Sequence, residues 1–205
     1  ACGIGAVVNL NGIGDHRAVD SALTIVERLA HRAGCDAEGT TGDGVGIMTE
    51  IPHALFSRWA AAQGIELGDK RDYGAAMLFL SADAAAEKAA FEAACRAENL
   101  TFIAWRDVPV CPELLGRGAR ETMPAIVQGF VARPKDVERG AAFDRRLYVL
   151  RRRFEKAAPK AYVCSLSSRT IVYKGMMLVT QLRAFYPDLQ QADYTSAAAL
   201  VHSRF

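Results

Sequence analysis

The chain alternates short β-strand patterns with amphipathic helix patterns, and this alternation constrains its fold most strongly. Strands are predicted where β-branched and aromatic residues are bounded by turn residues, at 2–10, 45–51, 73–80, 101–108, 125–132, 162–166 and 170–173. Helices are predicted between them, at 15–30, 52–62, 84–98 and 138–156. No linker-like or low-complexity segment interrupts the alternation, so we expect one mixed α+β domain over residues 1–205.

The glycine-rich segment Gly42–Gly46 does not fit a nucleotide-binding loop. Its sequence GDGVG lacks the third glycine of a dinucleotide fingerprint and precedes a predicted strand instead of a helix. The pattern therefore excludes a Rossmann or P-loop domain and favours a layered α+β domain, whose topology it leaves open.

Charge and hydropathy exclude two classes of partner. The 25 Lys and Arg residues against 23 Asp and Glu are mixed along the chain, so no nucleic-acid partner is expected. The arginines at 145–146 and 151–153 are interpreted as the solvated face of a helix whose apolar stripe is Phe143, Leu147, Leu150 and Phe154. The longest uncharged apolar stretch, 74–82, is too short to cross a bilayer, so no membrane partner is expected either.

The cysteines indicate neither a disulfide framework nor a metal site. They are odd in number, widely spaced and without a C-x-x-C pair, and they lie at Cys2, Cys35, Cys95, Cys111 and Cys164. We expect the last four to be small buried hydrophobic residues in a reducing, cytoplasmic compartment.

Cys2 differs because it lies close to the N-terminus and precedes a glycine and a predicted strand. A terminal α-amine titrates near pH 8, so at neutral pH it can accept the proton of the thiol, and one residue can supply both nucleophile and base. Gly3 and Gly5 would let backbone N–H groups or a substrate approach closely. Composition alone also allows an accidental N-terminal cysteine, without catalytic meaning.

Four stretches carry a resemblance to a known family. They are CGIGAVVNLNG, LAHRAGCDAEGTTGDGVGIMTEIPHALF, YVCSLSSRTIVYKGM with QLRAFYPDL, and ALVHSRF. In this order and spacing they resemble the start of the large subunits of the glutamate synthase family. The resemblance implies a class II glutamine amidotransferase (glutaminase) domain of the N-terminal-nucleophile hydrolase type. It also implies a four-layer αββα sandwich, in which two antiparallel sheets are packed between helical layers.

The resemblance also implies roles for single residues. Cys2 matches the nucleophile that attacks the side-chain amide of glutamine, giving a glutamyl thioester and ammonia for the amination of 2-oxoglutarate. Arg32 matches the arginine that orders the pocket, and Arg204 the arginine that pairs with the α-carboxylate of glutamine. The segment Thr41-Gly42-Asp43-Gly44 resembles the loop beside the cysteine strand, in which Asp43 is expected to be structural.

Cofactors and partners follow from the same resemblance. It implies no cofactor in this segment, whereas FMN and an iron–sulfur cluster are expected in other domains of the parent enzyme. The expected partners are glutamine, the remaining domains of the large subunit and an electron-donating small subunit.

The sequence departs from the family pattern in three places. Ala1 precedes Cys2, and while it is attached the nitrogen of Cys2 is an amide without a basic lone pair. Ala33-Gly34 stands where the family has Gly-Ala. The family's domain continues beyond position 205 with the asparagine and glycine of the oxyanion hole. We therefore expect that residues 1–205 are an N-terminal portion of the domain and are inactive by themselves. In this portion, sheet edges and part of the core should be exposed.

Two alternatives stay open at this point. One is a catalytically inactive amidotransferase-like module that packs against a partner chain. The other is an N-terminal-nucleophile amide hydrolase with a different substrate, against which Arg204 argues, since a carboxylate-binding arginine is expected for free glutamine.

Overall fold

A computed structural model describes residues 2–35 and 39–204. Its strands are β1 (Gly3–Val8), β2 (Val45–Glu50), β3 (Tyr73–Leu80), β4 (Thr101–Asp107), β5 (Ala125–Ala132), β6 (Tyr162–Ser167), β7 (Thr170–Gly175) and β8 (Ala198–Ser203). Its helices are α1 (His16–Arg28), α2 (His53–Ala62), α3 (Ala84–Ala97), α4 (Arg117–Glu121), α5 (Ala141–Ala157) and α6 (Leu182–Phe185). Short 3₁₀ turns cover Ala30–Arg32, Pro112–Leu114 and Pro187–Gln190.

The strands form two four-stranded antiparallel sheets. Their orders are β1-β8-β2-β7 in the first sheet and β4-β5-β3-β6 in the second. The predicted α+β class with two antiparallel sheets is therefore confirmed. The described residues divide into two compact units, one with residues up to 55, 109–123 and from 172 onward, the other with 56–108 and 124–171.

In the first unit, helix α1 covers one face of the first sheet. Asp15 caps the helix, because its side chain accepts a hydrogen bond of 2.9 Å from the backbone N–H of Ala18 and so satisfies one of the free donors of the first turn. The apolar stripe predicted from helical spacing is confirmed, since the buried residues of α1 are Ala18, Val19, Ala22, Leu23 and Val26. On the other face of the sheet, Ile4 and Val8 are 67% and 60% exposed.

In the second unit, the second sheet packs against α3 and α5. The predicted stripe of α5 is confirmed, since one buried cluster contains Phe143, Leu147, Leu150 and Phe154 together with Phe91 of α3 and Val131 of β5. Two arginines of α5 form ion pairs outside this core, Arg151 with Glu155 at 2.8 Å and Arg153 with Glu98 at 2.5 Å. These pairs fit the interpretation of a solvated basic face.

Three elements were not predicted: α4, α6 and β8. The two helices are only five and four residues long, too short to show a helical period. Strand β8 is rich in alanine, which is depleted in strands, but its buried residues Ala199, Val201 and Ser203 alternate with more exposed ones. The sequence does not show this period, because the exposed set includes Leu200 and the buried set includes Ser203.

The prediction that four cysteines are buried is only partly right. Cys95 is fully buried, and this burial raises the pKa of its thiol to about 12. Cys111 and Cys164 are half-buried, and Cys35 is exposed, so the prediction is wrong for Cys35. The exposure of Cys35 follows from its position in an irregular loop instead of a core strand or helix.

The described residues contain neither a candidate membrane-spanning helix nor a candidate metal-binding cluster. No helix within 2–35 and 39–204 is both long and apolar enough to cross a lipid bilayer. Nowhere in the same ranges do three or more His, Cys, Asp or Glu side chains gather into a group that could hold a metal ion.

Candidate active site

One end of the first sheet brings several of the candidate residues together. Strand β8 lies between β1 and β2, and Ser203 pairs with Gly3 on one side and with Val45 on the other. Both pairings are antiparallel, so the beginnings of β1 and β2 lie beside the end of β8. Cys2, which precedes β1, therefore lies at the same end of the first sheet as Arg204, which follows β8. Here the sheet edge means this end of the sheet, where β1 and β2 begin and β8 ends.

The backbone directly after Cys2 is held by buried contacts. The N–H of Gly3 donates a hydrogen bond of 3.1 Å to Oγ of Ser203, which is fully buried. A Cβ at Gly3 would lie 2.7 Å from that oxygen and 3.1 Å from Cδ1 of Leu29. The thiol of Cys2 itself is exposed. An exposed cysteine thus directly precedes a strand whose first residue is fixed.

The close approach predicted at Gly3 and Gly5 is made by the protein's own side chains on the Cβ side of both residues. A Cβ at Gly5 would lie 2.4 Å from Cγ2 of Ile25 in α1, and the space at Gly3 is taken by Ser203 and Leu29. Glycine is needed at both positions because neighbouring side chains, and helix α1 in particular, approach β1 closely.

Arg204 adopts an unusual backbone conformation at the end of β8. Its φ is +80°, in the left-handed region that residues with a Cβ rarely adopt. The Arg204 N–H donates a hydrogen bond of 2.7 Å to the carbonyl oxygen of Gly44, which precedes β2. The chain therefore leaves the sheet in a defined direction, and strained backbone of this kind is concentrated at functional sites.

Asp43 pairs with the side chain of Arg204. Oδ2 of Asp43 lies 3.2 Å from Nε of Arg204, and the two side chains are 42% and 46% exposed. The Asp43 N–H also donates a hydrogen bond of 3.1 Å to the carbonyl oxygen of Gly34, and Cys35 and Gly42 form an isolated antiparallel bridge beside it. The glycine loop is thus tied to the segment that follows Arg32.

Gly34 lies directly against the carboxylate of Asp43. A Cβ there would be only 2.2 Å from Oδ2 of Asp43. The order Ala33-Gly34, which departs from the family pattern, therefore places the glycine at the position that contacts Asp43.

Arg32 is exposed and lies in the 3₁₀ turn that follows α1. This turn is connected to the sheet edge at both ends, since Leu29 lies against Gly3 and Gly34 lies against Asp43. The structure therefore brings the segment of Arg32 to the same edge as Cys2 and Arg204.

The arrangement combines an exposed thiol with an exposed guanidinium at one edge of a rigid sheet. A thiolate is a strong nucleophile towards amides, and a guanidinium binds carboxylates through paired hydrogen bonds. Such a site suits the cleavage of an amide in a small substrate that carries a carboxylate. Sequence reasoning missed Ser203 and the partner of Asp43, because both depend on the unpredicted strand β8.

Comparison with known proteins places this chain among enzymes of amide-nitrogen transfer. The family model described as "Glutamine amidotransferases class-II" matches residues 2–205. The chain is 41% identical over 214 residues to "Ferredoxin-dependent glutamate synthase 2, chloroplastic" of Arabidopsis thaliana and 41% identical over 209 residues to "Ferredoxin-dependent glutamate synthase 2" of Synechocystis sp.. It is 37% identical over 212 residues to "Glutamate synthase [NADPH] large chain" of Bacillus subtilis. All of this chain is covered in each case, but it spans only 13%, 13% and 14% of the length of these relatives.

Proposed function

This chain belongs to the class II glutamine amidotransferases, and on that premise we propose that it is the glutaminase part of a glutamate synthase. In this role it hydrolyses glutamine to glutamate and ammonia, and the ammonia aminates 2-oxoglutarate. The observation that supports this proposal best is the placement of Cys2 and Arg204 at one sheet edge, through the pairing of Ser203 with Gly3. The names of the relatives support the choice of a glutamate synthase among amidotransferases.

The proposed reaction has two steps at Cys2. The sulfur attacks the side-chain amide carbon of glutamine, the C–N bond breaks, and the thiol proton leaves with the nitrogen as ammonia. Water then attacks the thioester carbon, which releases glutamate and returns a proton to the sulfur. The exposure of Cys2 leaves its sulfur open to both reactants.

The proposed base is the α-amine of Cys2, which requires that no residue precede it. With Ala1 attached, that nitrogen is an amide, and the free amine lies one residue away, about 3.8 Å along the chain. We therefore expect the full-length natural protein to hydrolyse glutamine when its mature sequence starts at Cys2, and to be inactive when Ala1 is retained. Intact-mass analysis of both forms together with ammonia release decides this, and full activity with Ala1 in place would disprove the free-amine mechanism.

Arg204 and Arg32 are the proposed substrate-binding residues. Arg204 binds the α-carboxylate of glutamine, since a guanidinium stays charged and offers paired donors. Arg32 orders the pocket from the turn that links Leu29 with Gly34. Both side chains are accessible, which such contacts need.

The redox cofactors implied by the resemblance are assigned outside this chain. The described cysteines do not gather into a ligand set for an iron–sulfur cluster. We propose that FMN, the cluster and contacts with an electron-donating small subunit belong to other domains of the natural protein, which acts in the cytoplasm. No step at Cys2 requires these groups, because amide hydrolysis involves no change in oxidation state.

Replacing the proposed nucleophile tests this function. In the full-length natural protein, Cys2→Ala should abolish glutamine hydrolysis and leave ammonia-dependent glutamate formation intact, and Cys2→Ser should also be poor. Cys35→Ala is the control, because Cys35 is also an exposed free thiol. Glutamine turnover by folded Cys2→Ala above a small fraction of the parent rate would overturn the assignment.

A further inference from the structure

We propose that Asp43 is a positioning residue for glutamine binding, which holds the guanidinium of Arg204 by its Nε edge and leaves the terminal nitrogens free for the substrate carboxylate. This inference rests on the proposed function, because it assigns Asp43 a part in that same site. It differs from the sequence-based expectation that Asp43 is structural.

The geometry of the ion pair carries the first step. A guanidinium has two edges that can bind a carboxylate, one formed by Nε with one terminal nitrogen and one formed by the two terminal nitrogens. The closest approach of Asp43 is to Nε, with Oδ2 at 3.2 Å. With that edge held by Asp43, the other edge of Arg204 can bind an incoming carboxylate through two parallel hydrogen bonds.

Asp43 is itself held at its backbone, whose N–H donates a hydrogen bond to the carbonyl oxygen of Gly34, and its carboxylate lies against the same glycine. The backbone of Arg204 is fixed in turn by its hydrogen bond to Gly44. The backbones of both partners are therefore anchored, which favours a positioning contact that restricts the arginine side chain.

Charge alone predicts the opposite effect of removing Asp43. The carboxylates of Asp43 and of glutamine repel each other, so with an uncharged residue at position 43 the α-carboxylate of glutamine would be attracted to Arg204 more strongly. Positioning predicts that the same change weakens glutamine binding, because Arg204 then samples several rotamers. The sign of the change in KM therefore separates the two effects.

The experiment compares Asp43→Asn with Asp43→Glu in the full-length natural protein. We expect Asp43→Asn to raise the KM for glutamine about fivefold with kcat changed less than twofold, a size that suits a half-exposed ion pair. Asp43→Glu, which keeps the charge, should lie closer to the parent. Ammonia-dependent activity should not change in either variant. Glu121→Gln in α4 is the control, because it breaks an exposed ion pair with Arg117 in the same unit.

A double-mutant cycle with Arg204 shows whether Asp43 acts through that arginine. If it does, Asp43→Asn has no further effect on KM in the Arg204→Ala background. An unchanged or lower KM for Asp43→Asn, or an equal effect in both backgrounds, would overturn the inference. Should Asp43→Asn fail to fold, the cycle is run with Asp43→Ser, which also removes the carboxylate, and the same outcomes decide.

The outcomes also separate this inference from the proposed function. If Arg204→Ala raises KM and Asp43→Asn does not, the positioning role alone fails. If Cys2→Ala still hydrolyses glutamine, the proposed function fails whatever Asp43 does.

Discussion

Replacing Arg204 with alanine should impair the use of glutamine and spare the use of ammonia. The side chain is nearly half exposed at the sheet edge and pairs with Asp43 through Nε. Its proposed partner, the α-carboxylate, is present in glutamine and absent from ammonia. The two nitrogen sources therefore give two readouts of one substitution.

The size of the effect follows from the environment of Arg204. A hydrogen bond between charged groups contributes about 1.5–3 kcal/mol, and the 46% exposure of the side chain argues against the upper end. A loss of about 2 kcal/mol corresponds to a decrease of about 30-fold in kcat/KM for glutamine. Arg204→Lys should lose most of this as well, because an ammonium cannot form the paired hydrogen bonds of a guanidinium.

The assay measures steady-state glutamate formation in the full-length natural protein with each nitrogen source. Arg17→Ala is the matched control, since Arg17 is an exposed arginine of the same unit that pairs with Asp15 at 3.7 Å. It should leave both activities at parent level. Equal losses of the glutamine- and ammonia-driven activities in Arg204→Ala would refute the reasoning and indicate a structural arginine.

Two further predictions concern stability. Gly5→Ala should lower the midpoint of thermal unfolding, because its Cβ would lie 2.4 Å from a side-chain carbon of α1 and overpacking costs about 1–3 kcal/mol. The control Gly118→Ala should not lower it, since its Cβ meets no atom of a described residue within 4 Å. Equal midpoints of the two variants would contradict this prediction. Hydrogen bonding to Arg139 is the main cause that lowers the pKa of Asp72 from 3.8 to about 2, so this carboxylate stabilises the folded state above about pH 4 and loses that contribution as the pH falls towards 2. After a discount for the exposure of Arg139, Asp72→Asn should remove about 1 kcal/mol of acid-dependent stability in urea unfolding between pH 3 and 6. A parent-like slope in Asp72→Asn would contradict the assignment.

Elements with a strong hydrophobic period could be predicted from sequence. Helix α1 was identified by its apolar spacing and by Asp15 as its cap, and the structure shows both. The buried strands β3 and β5 were predicted with the bounds that the structure has. In these segments local pattern and tertiary packing agree, which is the condition under which sequence reasoning succeeds.

The site was harder to predict because it depends on pairing between distant parts of the chain. Gly3 and Ser203 are 200 residues apart, and no local pattern specifies that they are neighbours. The environment of Asp43 is similarly non-local, since the positions of both Gly34 and Arg204 determine its role. The resemblance to a family supplied Cys2, Arg32 and Arg204 as candidates, whereas their roles stay predictions.

The central claim is that Cys2 is the nucleophile of a glutamine-hydrolysing site. The most direct test treats the full-length natural protein with a glutamine analogue that carries an electrophilic carbon in place of the side-chain amide, and maps the labelled residue by mass spectrometry. We expect one label, on Cys2, formed at a rate that glutamine suppresses, with Cys35 unlabelled although its thiol is also exposed. Labelling of Cys35 at the same rate as Cys2, or labelling of Cys2 that glutamine does not slow, would contradict the claim.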